Sequence, residues 1–101
     1  MRQMQRLNNY KYYVSERRNP EYGLFLTIYD KEVIEGETFL SNETYDYVIE
    51  EEELIEKIKQ ASSIIFYGEN SVKLGIKMKF IHPNAVGEQE GVKTAIFIRT
   101  Y

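Results

Sequence analysis

Apolar residues recur at every second position along most of this chain, and a helical period interrupts that alternation once. Alternation sends successive side chains to opposite sides of an extended backbone, so it specifies strands with one buried face. In the first such segment Tyr10, Tyr12 and Val14 lie on one side and Lys11, Tyr13 and Ser15 on the other. Asn19-Pro20 and Gly23 then supply turn chemistry, because Pro presets φ and Gly admits positive φ. Leu24 to Ile34 reads as a second strand whose two apolar faces place it centrally, with partial cover on each side. Glu35-Gly36-Glu37 reads as a reversal, Thr38-Phe39-Leu40 as a short strand and Tyr45 to Ile49 as another.

The interruption is "EEEELIEKIKQAS", in which Leu54, Ile55, Ile58 and Ala61 form a single apolar stripe. Glu50 to Glu53 occupy the first turn, and Lys57 and Lys59 stand nearer the end. That polarity complements the helix dipole, each charge contributing about 0.3–1 kcal/mol. Glu53 also precedes Lys57 by one turn, the favourable sense for an ion pair.

Extended structure is expected again in "SIIFYG", a buried strand. Gly68-Glu69-Asn70 reads as a hairpin turn into "SVKLGIKMKF". There Val72, Leu74, Ile76, Met78 and Phe80 share one side of a strand, and Lys73, Lys77 and Lys79 share the other. His82-Pro83 ends it, since Pro cannot continue a ladder. "PNAVGEQEG" is a polar contact loop, and Val92 to Tyr101 forms a closing strand. Short connections between strands require antiparallel pairing. The expected fold is α+β: a single antiparallel sheet of about five to six strands, with one helix at about residues 50–62 on one face. A length of 101 residues corresponds to one domain, with residues 1–8 expected to fray.

Composition removes several chemistries. The absence of Cys excludes disulfides, thiol nucleophiles and Cys-ligated metals, and favours an intracellular home. His82 is the single histidine, so a two-His metal site is excluded. No P-loop, dinucleotide fingerprint or nucleophile elbow occurs, and no cofactor is expected. No apolar run has the length of a membrane span and no secretory leader opens the chain, so a soluble cytoplasmic protein is expected.

The net charge of −3 conceals a division. Residues 1–20 and 61–101 are net basic, whereas residues 21–60 hold most of the acidic groups. In the acidic segment Tyr45, Asp46, Tyr47, Glu50, Glu51, Glu52 and Glu53 form a candidate contact surface for a protein partner with a basic surface. A solvated helix N-terminus accounts for the same glutamates without any partner.

The second candidate is basic and aromatic: Lys73, Lys77 and Lys79 with Lys93, Phe97, Arg99 and Tyr101, and Arg17 and Arg18 at the first turn. On one sheet face, cations would neutralise phosphates and rings would stack on bases of a nucleic acid or nucleotide. An outward lysine row is also what any half-exposed strand carries. A third reading is a small phosphodiesterase or nuclease centred on His82.

The leading expectation is a non-enzymatic binding protein that occludes a protein partner. In composition alone the chain resembles the small accessory proteins, anti-CRISPR inhibitors among them, with which phages and mobile elements block host machinery. A homodimer through an unpaired first or last strand is also expected to be accessible.

Overall fold

The computed structural model describes residues 10–100. Residues 1–9 and Tyr101 lie outside them, and with them the expectation of fraying at residues 1–8 and the candidate role of Tyr101.

The strands are β1 (Lys11–Asn19), β2 (Gly23–Asp30), β3 (Tyr47–Glu50), β4 (Ser63–Tyr67), β5 (Gly87–Gln89) and β6 (Val92–Ile98). Helix α1 (Lys31–Glu35) follows β2, α2 (Glu51–Gln60) follows β3, and α3 (Glu69–Lys77) follows β4. All six strands form one sheet in the order β3-β1-β2-β4-β6-β5. Pairing is antiparallel except between β2 and β4. A parallel pair needs a long crossover, and α1, β3 and α2 between the two strands supply it. The fold is α+β with a mostly antiparallel sheet, as expected. The parallel pair and two additional helices refine the expectation.

Both longer helices pack on one face. Leu54 and Ile58 of α2 and Val72 and Leu74 of α3 meet Val14, Leu26, Ile28, Ile64 and Phe66 from the strands, all buried. The other face is covered only at one end, where Val33 of α1 and Leu40 pack with Tyr29 and Val92.

The expected strand Val72 to Phe80 is instead helix α3 and its exit. The inward residues of α3 are Ser71, Val72, Leu74 and Gly75, a helical spacing that includes two small residues an apolar count ignores. Gly75 is small for a reason: a Cβ there would lie 2.9 Å from Ile81 Cγ1 and 3.1 Å from the Phe66 ring. The helix start is set from a distance. The Asp30 carboxylate accepts from Asn70 N (2.8 Å), Ser71 N (2.7 Å) and Ser71 Oγ (2.6 Å), satisfying donors that a helix leaves open at its N-terminus. Asp30 is 3% exposed. Burial pushes its carboxyl above the ordinary range, against the pull of the Ser71 and Asn70 donors. Gly68 lets the chain pass this carboxylate, with φ of 115° and no room for a Cβ, which would fall 2.3 Å from Asp30 Cγ.

Three other segments differ from expectation. Lys31 to Ile34, expected as the end of the second strand, belongs to helix α1, which buries Val33 against Tyr29 and Leu40. The expected strand at Thr38 to Leu40 is a turn, because Thr38 Oγ1 donates to Val33 O (2.8 Å) and accepts from Leu40 N (3.0 Å). The expected loop Pro83 to Gly91 contains a 3₁₀ turn (Pro83–Ala85) and β5. Glu90 and Gly91, both at positive φ, make the two-residue reversal into β6.

Candidate interaction surface

The acidic segment is largely engaged within the chain. Asp46 accepts from Glu16 N (2.7 Å) and lies 3.9 Å from Arg17 Nη1. The Tyr47 hydroxyl donates to Glu16, and Lys57 Nζ is 3.1 Å from the same carboxylate. These contacts hold the Glu16 carboxyl below its usual range, the Tyr47 hydrogen bond first and Lys57 next. Burial and Glu16 together push the Tyr47 phenol upward. Glu51 accepts from the Tyr12 hydroxyl (3.0 Å) and lies 3.7 Å from Lys77 Nζ. Glu50 stands across from Lys11 in the β1–β3 register. Tyr45 packs edge-on to Tyr13 with ring centroids 4.6 Å apart. Glu52 and Glu53 are exposed on α2.

The basic set is dispersed, because its expected strand is a helix. Lys73 and Lys77 lie one turn apart on α3, beside Tyr10, Tyr12, Asn70 and Glu51 around a cleft of about 240 Å³. Lys79 follows the helix at φ 66°. Lys93 faces Glu88 at the far end of β6. Arg99 caps α2, donating from Nε to Ala61 O (3.0 Å) and from Nη2 to Lys59 O (3.2 Å). Its guanidinium also lies 5.4 Å from the Phe97 ring centroid and 5.8 Å from that of Phe80. Arg17 and Arg18 sit in the outer half of β1 with Asp46 and Glu16. His82 Nδ1 accepts from Asn84 N (3.0 Å), which makes it a local cap of the 3₁₀ turn.

A larger cleft of about 460 Å³ opens where β2 and β4 end, between Glu32, Thr38, Glu69, Asn70, Glu88 and Lys93. Its buried acid, Asp30, is committed to the cap of α3. Among the described residues no group of three or more His, Asp or Glu side chains is placed to hold a metal ion. Nor is any helix among them long and apolar enough to cross a membrane.

The surface that sequence reasoning missed lies on the sheet face away from α2 and α3. Phe25 of β2 pairs across to Ser63 of β4, and Ser63 to Ile98 of β6. In the next row Thr27 pairs to Ile65, and Ile65 to Ile96. Ile65 is therefore opposite Ile96 and diagonal to Ile98 on one side and to Phe25 on the other. Ile96 is 59% and Ile98 67% exposed, unusual for strand isoleucines beside other apolar groups. The same stretch borders an open edge. β5 pairs with β6 only as far as Thr94, whereas β4 pairs with it as far as Ile98. The available signal was "AIFI": apolar residues on both sides of a strand, where alternation should have placed polar groups outward.

Comparison with known proteins places the chain by fold and family. No curated protein matches it. The fold is similar to that of an uncharacterized conserved protein from Methanopyrus kandleri, with a TM-score of 0.63 and 13% sequence identity, over 90% of this chain and 96% of that one. Residues 25–100 match a family described as a protein of unknown function, DUF424. The match spans most of the chain, which therefore belongs to the DUF424 family.

Proposed function

We propose that this protein is a non-enzymatic binding domain that engages another polypeptide through the open side of its sheet. One observation carries the reading: Ile96 and Ile98, widely exposed, adjoin Ile65 and lie on a strand whose side away from β4 has no paired strand beyond Thr94 among the described residues. Apolar area of this kind gains roughly 25 cal/mol per Å² when covered. An unpaired strand edge adds backbone donors and acceptors that a partner strand satisfies. Occlusion of a partner surface, the mode expected from the sequence, remains the mode of action. The contact surface moves from the acidic segment to β6, because Asp46, Tyr47 and Glu51 are already held by Glu16, Arg17, Tyr12 and Lys77. The likeness to mobile-element inhibitors stays one of composition.

A photo-crosslinking amino acid placed at Ile96 or Ile98 tests this in cells of the source organism, with Glu52 on α2 as the control position. Polypeptide adducts from positions 96 and 98, and few from 52, support the reading. Adducts from 52 alone, or equal yields from all three, overturn it.

A second reading is binding of a small anion or nucleotide at Lys73 and Lys77, the part of the basic set that the fold keeps together beside Tyr12 and Asn70. Glu51 in the same cleft opposes an anion. Titration with single-stranded RNA and nucleotides, against Lys73→Glu, decides it: salt-sensitive binding lost in the variant supports this reading, and no binding removes it.

A further inference from the structure

We infer that the open edge of β6 receives a second copy of this chain, paired antiparallel about a two-fold axis at Phe97. The inference rests on reading this surface as a contact face, and it names the occupant.

Backbone direction comes first. Arg99 N donates to Ser62 O, and Lys93 O accepts from Gly68 N, both at 2.8 Å. Both residues therefore turn their backbone groups toward the β4 side. In an antiparallel ladder that direction alternates, so Val92, Thr94, Ile96 and Ile98 turn theirs the other way. Val92 and Thr94 meet Gln89 and Gly87 of β5. Ile96 and Ile98 come next, beyond the end of β5, and no strand among the described residues pairs with that side of them. The two residues with outward backbone groups are thus the two with the most exposed isoleucine side chains.

Symmetry comes second. Ile96 and Ile98 flank Phe97 evenly. A two-fold axis perpendicular to the sheet at Phe97 sets Ile96 opposite Ile98 of the second copy, and Ile98 opposite its Ile96. Each such pair exchanges both backbone hydrogen bonds. The four isoleucine side chains then form one row on the open face, continuous with Ile65 and Phe25 of each copy. A contact made by one patch with itself is the form that a closed two-fold dimer requires.

Charge and length choose the register. With the axis at Phe97, Arg99 faces Ala95 of the second copy, and no like charges oppose each other within the paired stretch. With the axis one residue earlier, Arg99 of the second copy is directed at Lys93, a position of like charge that Glu88 of β5 already fills. β5 also blocks β6 up to Thr94; from Ala95 to Arg99 no strand among the described residues pairs on that side, where Ala85 lines a cleft with Ala95 and Ile96, and the same stretch of the second copy fills it.

The absence of cysteine makes the test direct. Ile96→Cys and Ile98→Cys are exposed single substitutions that leave the core intact. Opposed residues in a hydrogen-bonded antiparallel pair have Cα atoms about 5.5 Å apart, within reach of a disulfide. An equimolar mixture of the two variants, oxidised mildly, is expected to form the mixed disulfide dimer far faster than either variant alone. Light scattering of the unmodified chain is expected to give about twice its 12.0 kDa mass, and Ile98→Lys to give the monomer with unchanged circular dichroism. Should Ile98→Lys fail to fold, Ile96→Pro removes an outward N–H only and is expected to lose the dimer as well.

A monomeric native chain at high micromolar concentration overturns the inference, as does equal oxidation of the mixture and the single variants. Crosslinks from position 96 to a different protein, with the chain itself monomeric, overturn the dimer and leave the binding reading standing. An absence of crosslinks to any polypeptide removes both.

Discussion

The two sides of the sheet end differently. On the β3 side the outer half of β1 extends past the end of its neighbour, and side chains finish the edge: the Asp46 carboxylate takes the Glu16 N–H, and Arg17, Arg18, Lys57 and Tyr47 surround it with charge and hydrogen bonds. On the β6 side the strand also extends past its neighbour, but the overhang is Ala95-Ile96-Phe97-Ile98, without a charged residue until Arg99. Sheets that must remain unpaired carry charges, bulges or covers at their edges. One edge of this protein has such protection and the other lacks it. That contrast, rather than the exposure of any single residue, supports the contact proposed at β6.

The largest effect expected is one that removes the frame of both edges. Asp30→Ala leaves the Asn70 and Ser71 donors of α3 without their acceptor, and is expected to cost about 2–4 kcal/mol in urea unfolding. If stability barely moved, the cap would not be what starts α3.

Next in size, Ile98→Lys should abolish association and leave the unfolding midpoint nearly unchanged. Sedimentation at several concentrations reads the first quantity and urea titration the second. The reverse outcome, lost stability with retained association, would place Ile98 in the fold rather than in a contact.

At the protected edge, Asp46→Ala should cost only about 0.5–1 kcal/mol, because the site is half exposed. It should also create new, salt-sensitive self-association that Ile98→Lys does not suppress. If no such association appears, the carboxylate is not what keeps that edge closed.

The smallest effect concerns pH. The Glu16 carboxyl is lowered from 4.5 in the folded protein, so its contribution is present above that value and fades as pH falls through the lower folded value. Asp30 has the opposite sense: its raised carboxyl favours the folded state below 3.8, and that contribution is lost as pH rises through its folded value. Thermal melts of the chain and of Glu16→Gln should therefore converge in acid and separate toward neutrality. Association through β6 should not follow that profile, since no titratable group lies between Thr94 and Ile98.

Much of the fold was legible. Lys11 to Ser15, Leu24 to Tyr29, Ser63 to Tyr67 and Val92 to Ile98 are strands, as their alternation or β-rich runs require, although the second expected strand ran on to Ile34 and the last to Tyr101. Glu51 to Gln60 is a helix for the periodic reason expected, with Leu54 and Ile58 buried. The candidate sites were less legible. Their residues were grouped by type along the chain, whereas Lys73, Arg99 and Arg17 belong to three separate parts of the surface. Only the run Ala95-Ile96-Phe97-Ile98 distinguishes Ile96 and Ile98 in sequence, since an apolar residue in a strand ordinarily faces a core.

Local pattern by itself determined where the chain is extended and where α2 coils, because side-chain period is a property of neighbours in sequence. It could not choose between strand and helix for Val72 to Lys77, where the apolar residues alternate and the small residues Ser71 and Gly75 complete a helical face. Tertiary structure decided that case, through a carboxylate 41 residues away that accepts the first donors of α3 and through the close approach of Phe66 and Ile81 to Gly75. It also decided which isoleucines remain exposed. Whether a strand has a neighbour depends on strand order and on where that neighbour stops, and neither quantity is written in the residues of the strand itself.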